Sequence, residues 1–206
     1  PCLTAALTGF WVSSALGVPP TRFTIPVLEL LPADMLRAAA LAVLCALVSI
    51  LFCRVLHAVE HGAEHLMKNV WLRAAAGGVI LIVLTLLLGT DYNGAGMGII
   101  EQALGGQANS WAWVWKILFT AVTIGCGFKG GEIVPTFCIG ATFGCVLGGL
   151  LGLDGGMAAA LGLIGLFCCA TNSPLASIVL SIEMFGSTNL YLFAFVCVVC
   201  FVLSGN

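Results

Sequence analysis

Eight apolar stretches follow one another along this chain, at about residues 3–16, 35–52, 70–88, 111–124, 133–151, 157–170, 174–185 and 190–203. Together they bring hydrophobic residues to 61% of the 206 and leave only 8% charged. A soluble domain of this size could not hold such a surface in water, so the sequence is that of an integral membrane protein. Its core is expected to be an all-α bundle whose outer wall is lipid. A full span takes ~20 apolar residues. Several stretches are near that length, whereas others are distinctly short. Short, glycine-broken segments predict tilted or discontinuous helices, the construction that transporters place around sites at mid-membrane.

Charge placement sets an expected orientation. Arg54, Lys68 and Arg73 cluster between the second and third stretches, while residues 90–110 carry no Lys or Arg. The positive-inside rule then puts 54–73 on the cytoplasmic side and 90–110 outside, with Arg22 and Arg37 as contrary charges. Residues 54–69 continue the second stretch with helical periodicity but polar character, so a long helix should emerge from the membrane there. The net charge of −2 argues against a nucleic-acid partner. With no composition shift and no internal repeat, one membrane domain is the economical reading. The first residue is Pro1 and no basic leader precedes the first stretch, which predicts a piece of a longer polypeptide.

Three patterns have bland readings that suit them better than their catalytic ones. Gly125-x-Gly127-x-x-Gly130 matches a dinucleotide fingerprint, but membrane helices flank it in place of a βαβ unit. A tight bend between two helices is expected there. The ten cysteines lack metal-ligand spacing, and Cys197-x-x-Cys200 lies in an apolar run without an activating charge, so they are expected to pack as small hydrophobes. His57, His61 and His65 recur every four residues with Glu60 and Glu64 between them, giving His-x-x-Glu-His twice. The stripe could capture a metal or sense pH. A solvated face at the end of a helix is the simpler expectation.

Glycine recurs at positions 140, 144, 148 and 152. In lipid, small residues let helix backbones approach closely, so this stripe predicts a helix buried among others. That helix should start near Pro135, because proline suits a first helical turn. Just before it stands Gly131-Glu132-Ile133-Val134-Pro135. The amides of Ile133 and Val134 would project unpaired from a helix N-terminus, where the helix dipole favours an anion. Glu132, a carboxylate between apolar segments, costs at least ~2.5 kcal/mol in hydrocarbon and so usually pairs or works. It is a candidate proton carrier or gate; the structural alternative is a carboxylate satisfied by capping amides or by Lys129. Glu183, in the run 175–185, reads as a structural acceptor for main-chain N–H groups of a neighbouring loop. Asn172-Ser173-Pro174 marks a further break, with Pro174 restarting a helix.

At these residues the chain resembles the CLC family of chloride channels and anion/proton antiporters. Family members carry Gly-x-Phe-x-Pro at the start of a mid-membrane helix, followed by a Gly-Ala step, here Gly131 to Pro135 and Gly140-Ala141. A second family string, Pro-Leu-x-x-Ile-Val-Leu-x-x-Glu-Met, runs from Pro174 to Met184. The stretch Gly-Phe-Lys-Gly-Gly-Glu at 127–132 is similar to the fluoride/proton antiporter branch, which places a glutamate at the Glu132 position. Ile133 stands where the family usually has Phe, and Val134 where that branch has Thr. Thr136, set beyond the proline, is the nearest hydroxyl in the sequence.

The resemblance implies a homodimer in a lipid bilayer, each subunit with its own anion pathway and two inverted halves. Residues 1–206 would form the second half, a partial CLC-type transmembrane domain running between two interface helices, near 3–16 and near 190–203. It further implies anion binding at Gly131, Ile133 and Val134, with Glu132 moving protons or gating. Chloride or fluoride would be the transported ion and protons the coupling ion, in a bacterial inner membrane, without a cofactor or an enzymatic reaction. The first-half motifs and the last helix, which in the family brings a Tyr to the anion, are expected to lie outside this chain. Proton-coupled antiport is the leading reading and a passive chloride channel of the same fold the alternative. Two readings from other classes are an intramembrane metalloenzyme using the histidine stripe and a structural membrane subunit.

Overall fold

The computed structural model describes residues 2–18, 22–26 and 32–204. Pro1 and residues 205–206, where the expectations about the chain ends fall, lie outside them. Among the described residues the chain is helical throughout, with no strand: α1 (Cys2–Ala15), α2 (Pro32–Leu66), α3 (Val70–Leu88), α4 (Met97–Leu104), α5 (Ala112–Gly125), α6 (Ile133–Leu151), α7 (Gly155–Thr171), α8 (Pro174–Phe185) and α9 (Leu190–Ser204). By length and composition α2, α3 and α6 can cross a membrane, and α5, α7, α8 and α9 are shorter apolar helices. The eight apolar stretches thus each become a helix, and the chain is a multi-pass membrane protein.

The second stretch continues without interruption into its polar extension, and α2 reaches 35 residues. Asn69 ends the turn that follows, its side chain accepting the Trp71 N–H at 3.0 Å to cap α3. Glu64 on α2 and Arg73 on α3 close the same corner with an ion pair at 3.1 Å.

α7 is the centre of the bundle. Every residue from Gly156 to Cys169 is buried, against α6 on one side and α2 and α9 on others. Such burial requires small residues, since backbones can approach closely only where no side chain intervenes. Gly140, Gly144 and Gly148 of α6 provide that face, lying against Ala158 and Gly162 of α7. The fourth glycine of the stripe departs from expectation. Gly152 sits in the left-handed region (φ +75°) and ends α6 as its C-cap, a conformation that favours glycine. Asp154 then caps α7 by accepting the Met157 N–H at 3.0 Å.

The buried thiols of α7 and α9 point at neighbouring carbonyls: Cys168 Sγ to Cys197 O at 3.4 Å, and Cys200 Sγ to Ala42 O of α2 at 3.6 Å. The described cysteines are unbridged. At the α7–α8 break, Asn172 takes a left-handed conformation (φ 51°) and Pro174 opens α8. The short helix α4 was not expected. It interrupts residues 90–110 and begins at Gly96, whose φ of +72° turns the chain into it.

Candidate functional site at the start of helix α6

The link between α5 and α6 is the bend that its glycines predict. Gly127 has φ +92°. Gly125 leaves room for α2, because a Cβ there would stand 2.7 Å from Val59 Cγ1 and 3.1 Å from Glu60 N. A Cβ on Gly127 would meet the Arg73 guanidinium at 3.4 Å, so the arginine lies beside this bend. The polar extension of α2 and the start of α3 therefore fix the link that delivers residues 130–135 to their place.

α6 begins at Ile133, with Glu132 as its N-cap and Pro135 inside the first turn. The first carbonyl used is that of Glu132, which accepts the Thr136 N–H at 3.1 Å. The main-chain N–H groups of Glu132, Ile133 and Val134 therefore have no acceptor among the described residues. Three polarised donors and the positive end of a helix dipole converge there, the arrangement that accommodates an anion.

Neither of the structural partners expected for Glu132 is present among the described residues. It makes no side-chain cap bond. It forms no ion pair with Lys129, since the described salt bridges are Arg37–Asp34 and Arg73–Glu64. Its side chain is exposed on this chain rather than buried. Thr136 does not serve as its hydroxyl partner: its Oγ1 donates to the Ile133 carbonyl at 2.6 Å and is held within the helix.

Two cavities flank the helix start, and Val134 lines both. The first, about 460 Å³, runs from Gly130, Gly131 and Val134 past Thr120 to Lys116 and Tyr92. The second, about 300 Å³, is bounded by Phe137, Ile100, Leu180 and Glu183. Glu183 is exposed on the rim of this cavity and accepts no hydrogen bond among the described residues, which departs from its expected role as a structural acceptor.

Lys116 escapes a reading by motif. It lies inside the apolar stretch of α5, is 1% exposed, and donates from Nζ to the carbonyls of Tyr92 (3.0 Å) and Gly94 (2.7 Å). Those bonds hold the α3–α4 loop over the first cavity. The available signal was a lone cation in an apolar run of a chain with seven Lys and Arg. In the loop, burial and then the adjacent Asp91 carboxylate push the Tyr92 phenol above its usual value.

The histidine stripe is set apart from the cavities, on the extension of α2. His57 Nδ1 lies 2.8 Å from the Cys53 carbonyl, and the rings of His61 and His65 meet edge-on with centroids 4.7 Å apart. Among the described residues no group of three His, Cys, Asp or Glu side chains is placed to hold a metal ion.

Comparison with known proteins bears on the family and the fold. The family model described as voltage gated chloride channel matches residues 1–205. A chloride/fluoride channel protein of Pseudomonas syringae pv. tomato is 35% identical over 216 residues, covering all of this chain and 47% of that protein. An uncharacterised protein of Methanocaldococcus jannaschii is 41% identical over 71 residues, 34% of this chain and 18% of its own. The crystal structure of a CLC-type fluoride/proton antiporter superposes with a TM-score of 0.88 at 31% identity, over 93% of this chain and 49% of that one. The chain thus spans about half the length of the relatives it matches from end to end. With its helices in the arrangement of that antiporter and its whole length within the family model, the chain belongs to the voltage-gated chloride channel (CLC) family.

Proposed function

We propose that this chain forms the second half of a halide pathway that exchanges chloride or fluoride for protons. The anion sits at the start of α6, held by the main-chain N–H groups of Ile133 and Val134 where Gly131 lets the chain approach it closely. Dipoles rather than a full cation suit such a site, because the ion must also leave. Glu132 carries protons beside the anion or gates its passage. The observation that carries this reading is the conjunction at one helix start of unpaired amides and a carboxylate without a structural partner. The similar fluoride/proton antiporter and chloride/fluoride channel protein favour fluoride as one cargo and protons as the counter-ion.

The working unit we propose is a homodimer in a bacterial inner membrane, with residues 54–73 toward the cytoplasm. α1 supports a partner surface, since Leu7, Trp11 and Val12 are all more than half exposed. A passive chloride channel is the second reading, favoured by the family model's description.

The test is anion efflux from liposomes holding the native protein, wild type against Glu132→Gln, with fluoride and with chloride and with pH recorded. Proton movement against fluoride that the variant abolishes supports antiport. Chloride efflux unchanged in the variant, with no proton movement in either protein, establishes the channel.

A further inference from the structure

Three histidines recur every fourth residue along the polar extension of α2, and spacing treats them alike. The structure does not. His57 turns back on its own helix, with Nδ1 2.8 Å from the Cys53 carbonyl. His61 and His65 instead bring their rings together, edge-on, with centroids 4.7 Å apart. Both side chains are exposed.

That separation is one that a shared metal ion allows. Zinc bonds an imidazole nitrogen at ~2.0–2.1 Å, and at a metal angle of ~90–110° the centroids of two coordinated rings stand about 4.5–5.2 Å apart. The observed 4.7 Å falls inside that range. The rings cross at 76°, which is no obstacle, because each can turn about its metal–nitrogen bond. Rotation about Cβ–Cγ carries the ring nitrogens around while each centroid stays nearly in place, so the main chain need not move. Neutral imidazole is a donor that suits zinc, copper and nickel. Two histidines at i and i+4 of a helix are also a recurring half of zinc sites.

The pair stands on a helical turn whose path is already set. Gly125 at the end of α5 leaves room for Val59 and Glu60, and Glu64 is tied to Arg73 at 3.1 Å. Such preorganisation lowers the cost of ordering the rings on binding. No third described His, Cys, Asp or Glu side chain joins the pair, so water must complete the coordination.

We propose that His61 and His65 form a two-histidine site for a divalent transition-metal ion such as zinc, on the solvated end of α2. One nitrogen of each ring binds the ion, and water fills the remaining positions. The bound ion clasps the turn from 61 to 65 and stabilises the corner between α2 and α3. The site is separate from the start of α6 and does not depend on the role of Glu132.

The experiment is a zinc titration of the detergent-solubilised native protein at neutral pH, in competition with a chromophoric chelator. It compares wild type with His57→Ala, His61→Ala and His65→Ala, all three being exposed positions where alanine leaves the fold intact. We expect His61→Ala and His65→Ala each to weaken zinc binding at least tenfold, and His57→Ala to leave it within twofold. Zinc should raise the thermal midpoint of wild type and of His57→Ala, and not that of the other two variants. X-ray absorption at the zinc edge should show two nitrogen neighbours at ~2.0–2.1 Å. Equal weakening in all three variants overturns the assignment of the pair. Zinc binding that none of the variants changes, or its absence in wild type, overturns the site itself.

Discussion

Gly140 and Gly162 face each other across the α6–α7 contact, each occupying the space that a side chain on the other would need. A Cβ on Gly140 would stand 2.5 Å from the Gly162 carbonyl oxygen, and one on Gly162 would press in turn on the Gly140 carbonyl. Neither obstacle is a flexible side chain, so the helices themselves must separate to admit a methyl group. Gly140→Ala should therefore destabilise the bundle by about 1–3 kcal/mol or more. Gly149→Ala, on the same helix with open space around it, should be neutral or stabilise by up to ~1 kcal/mol through helix propensity. Detergent-solubilised thermal unfolding of the two variants tests the contrast, and equal losses would contradict the packing described.

Lys116→Met should loosen the loop between α3 and α4. The substitution keeps the apolar stem but strips the Tyr92 and Gly94 carbonyls of their donor, and a buried acceptor left unsatisfied costs ~1–3 kcal/mol. Faster amide hydrogen exchange over residues 92–98, with α7 unchanged, is the expected outcome.

The corner between α2 and α3 should respond unequally to its two charged partners. Glu64 is more than half exposed, so Glu64→Gln should cost no more than ~1 kcal/mol. Arg73 is only 13% exposed and lies beside the bend at Gly127, so Arg73→Ala should cost more and disturb the link that delivers Glu132. Thermal midpoints would rank the pair, and anion efflux should fall for Arg73→Ala alone.

Tyr92 gives the fold an alkaline sensitivity. Burial and Asp91 raise the phenol's pKa, so folding favours the neutral form. That stability is fully present below the unfolded value of about 10 and is lost as pH rises through the raised folded value. Tyr92→Phe keeps the ring against Phe119 and should flatten the fall in thermal midpoint above pH ~10. An unchanged slope would place the sensitivity elsewhere.

The helices were legible in the sequence because their signals are local. Pro174 and the apolar run after it mark α8 from start to end, and helical spacing carries α2 past Phe52 into its polar half. What escaped depends on contacts between distant segments. α4 has no long apolar run, and its start is set by the conformation of Gly96, beneath which Lys116 Nζ lies. Gly152 belongs to the stripe by spacing, yet its role as a cap is decided by where α6 runs out of α7 to pack on. The start of α6 was readable from Pro135 and its neighbours, but the freedom of Glu132 from Lys129 and Thr136 was not. Spacing permits those partners, and only the path of the α5–α6 link rejects them.

The enclosure of α7 bears on how the chain is made. Seventeen residues at 1.5 Å each reach about 26 Å, short of a hydrocarbon core of about 30 Å. A helix so short does not by itself cross the hydrocarbon core. Gly152, Leu153 and Asp154 alone separate it from α6, whose glycine face is its natural cover. The two helices are therefore suited to leaving the insertion machinery as a single hairpin, α6 escorting α7 into the bilayer, so that a bulky residue at position 140 or 162 would be felt during biogenesis before any ion had moved.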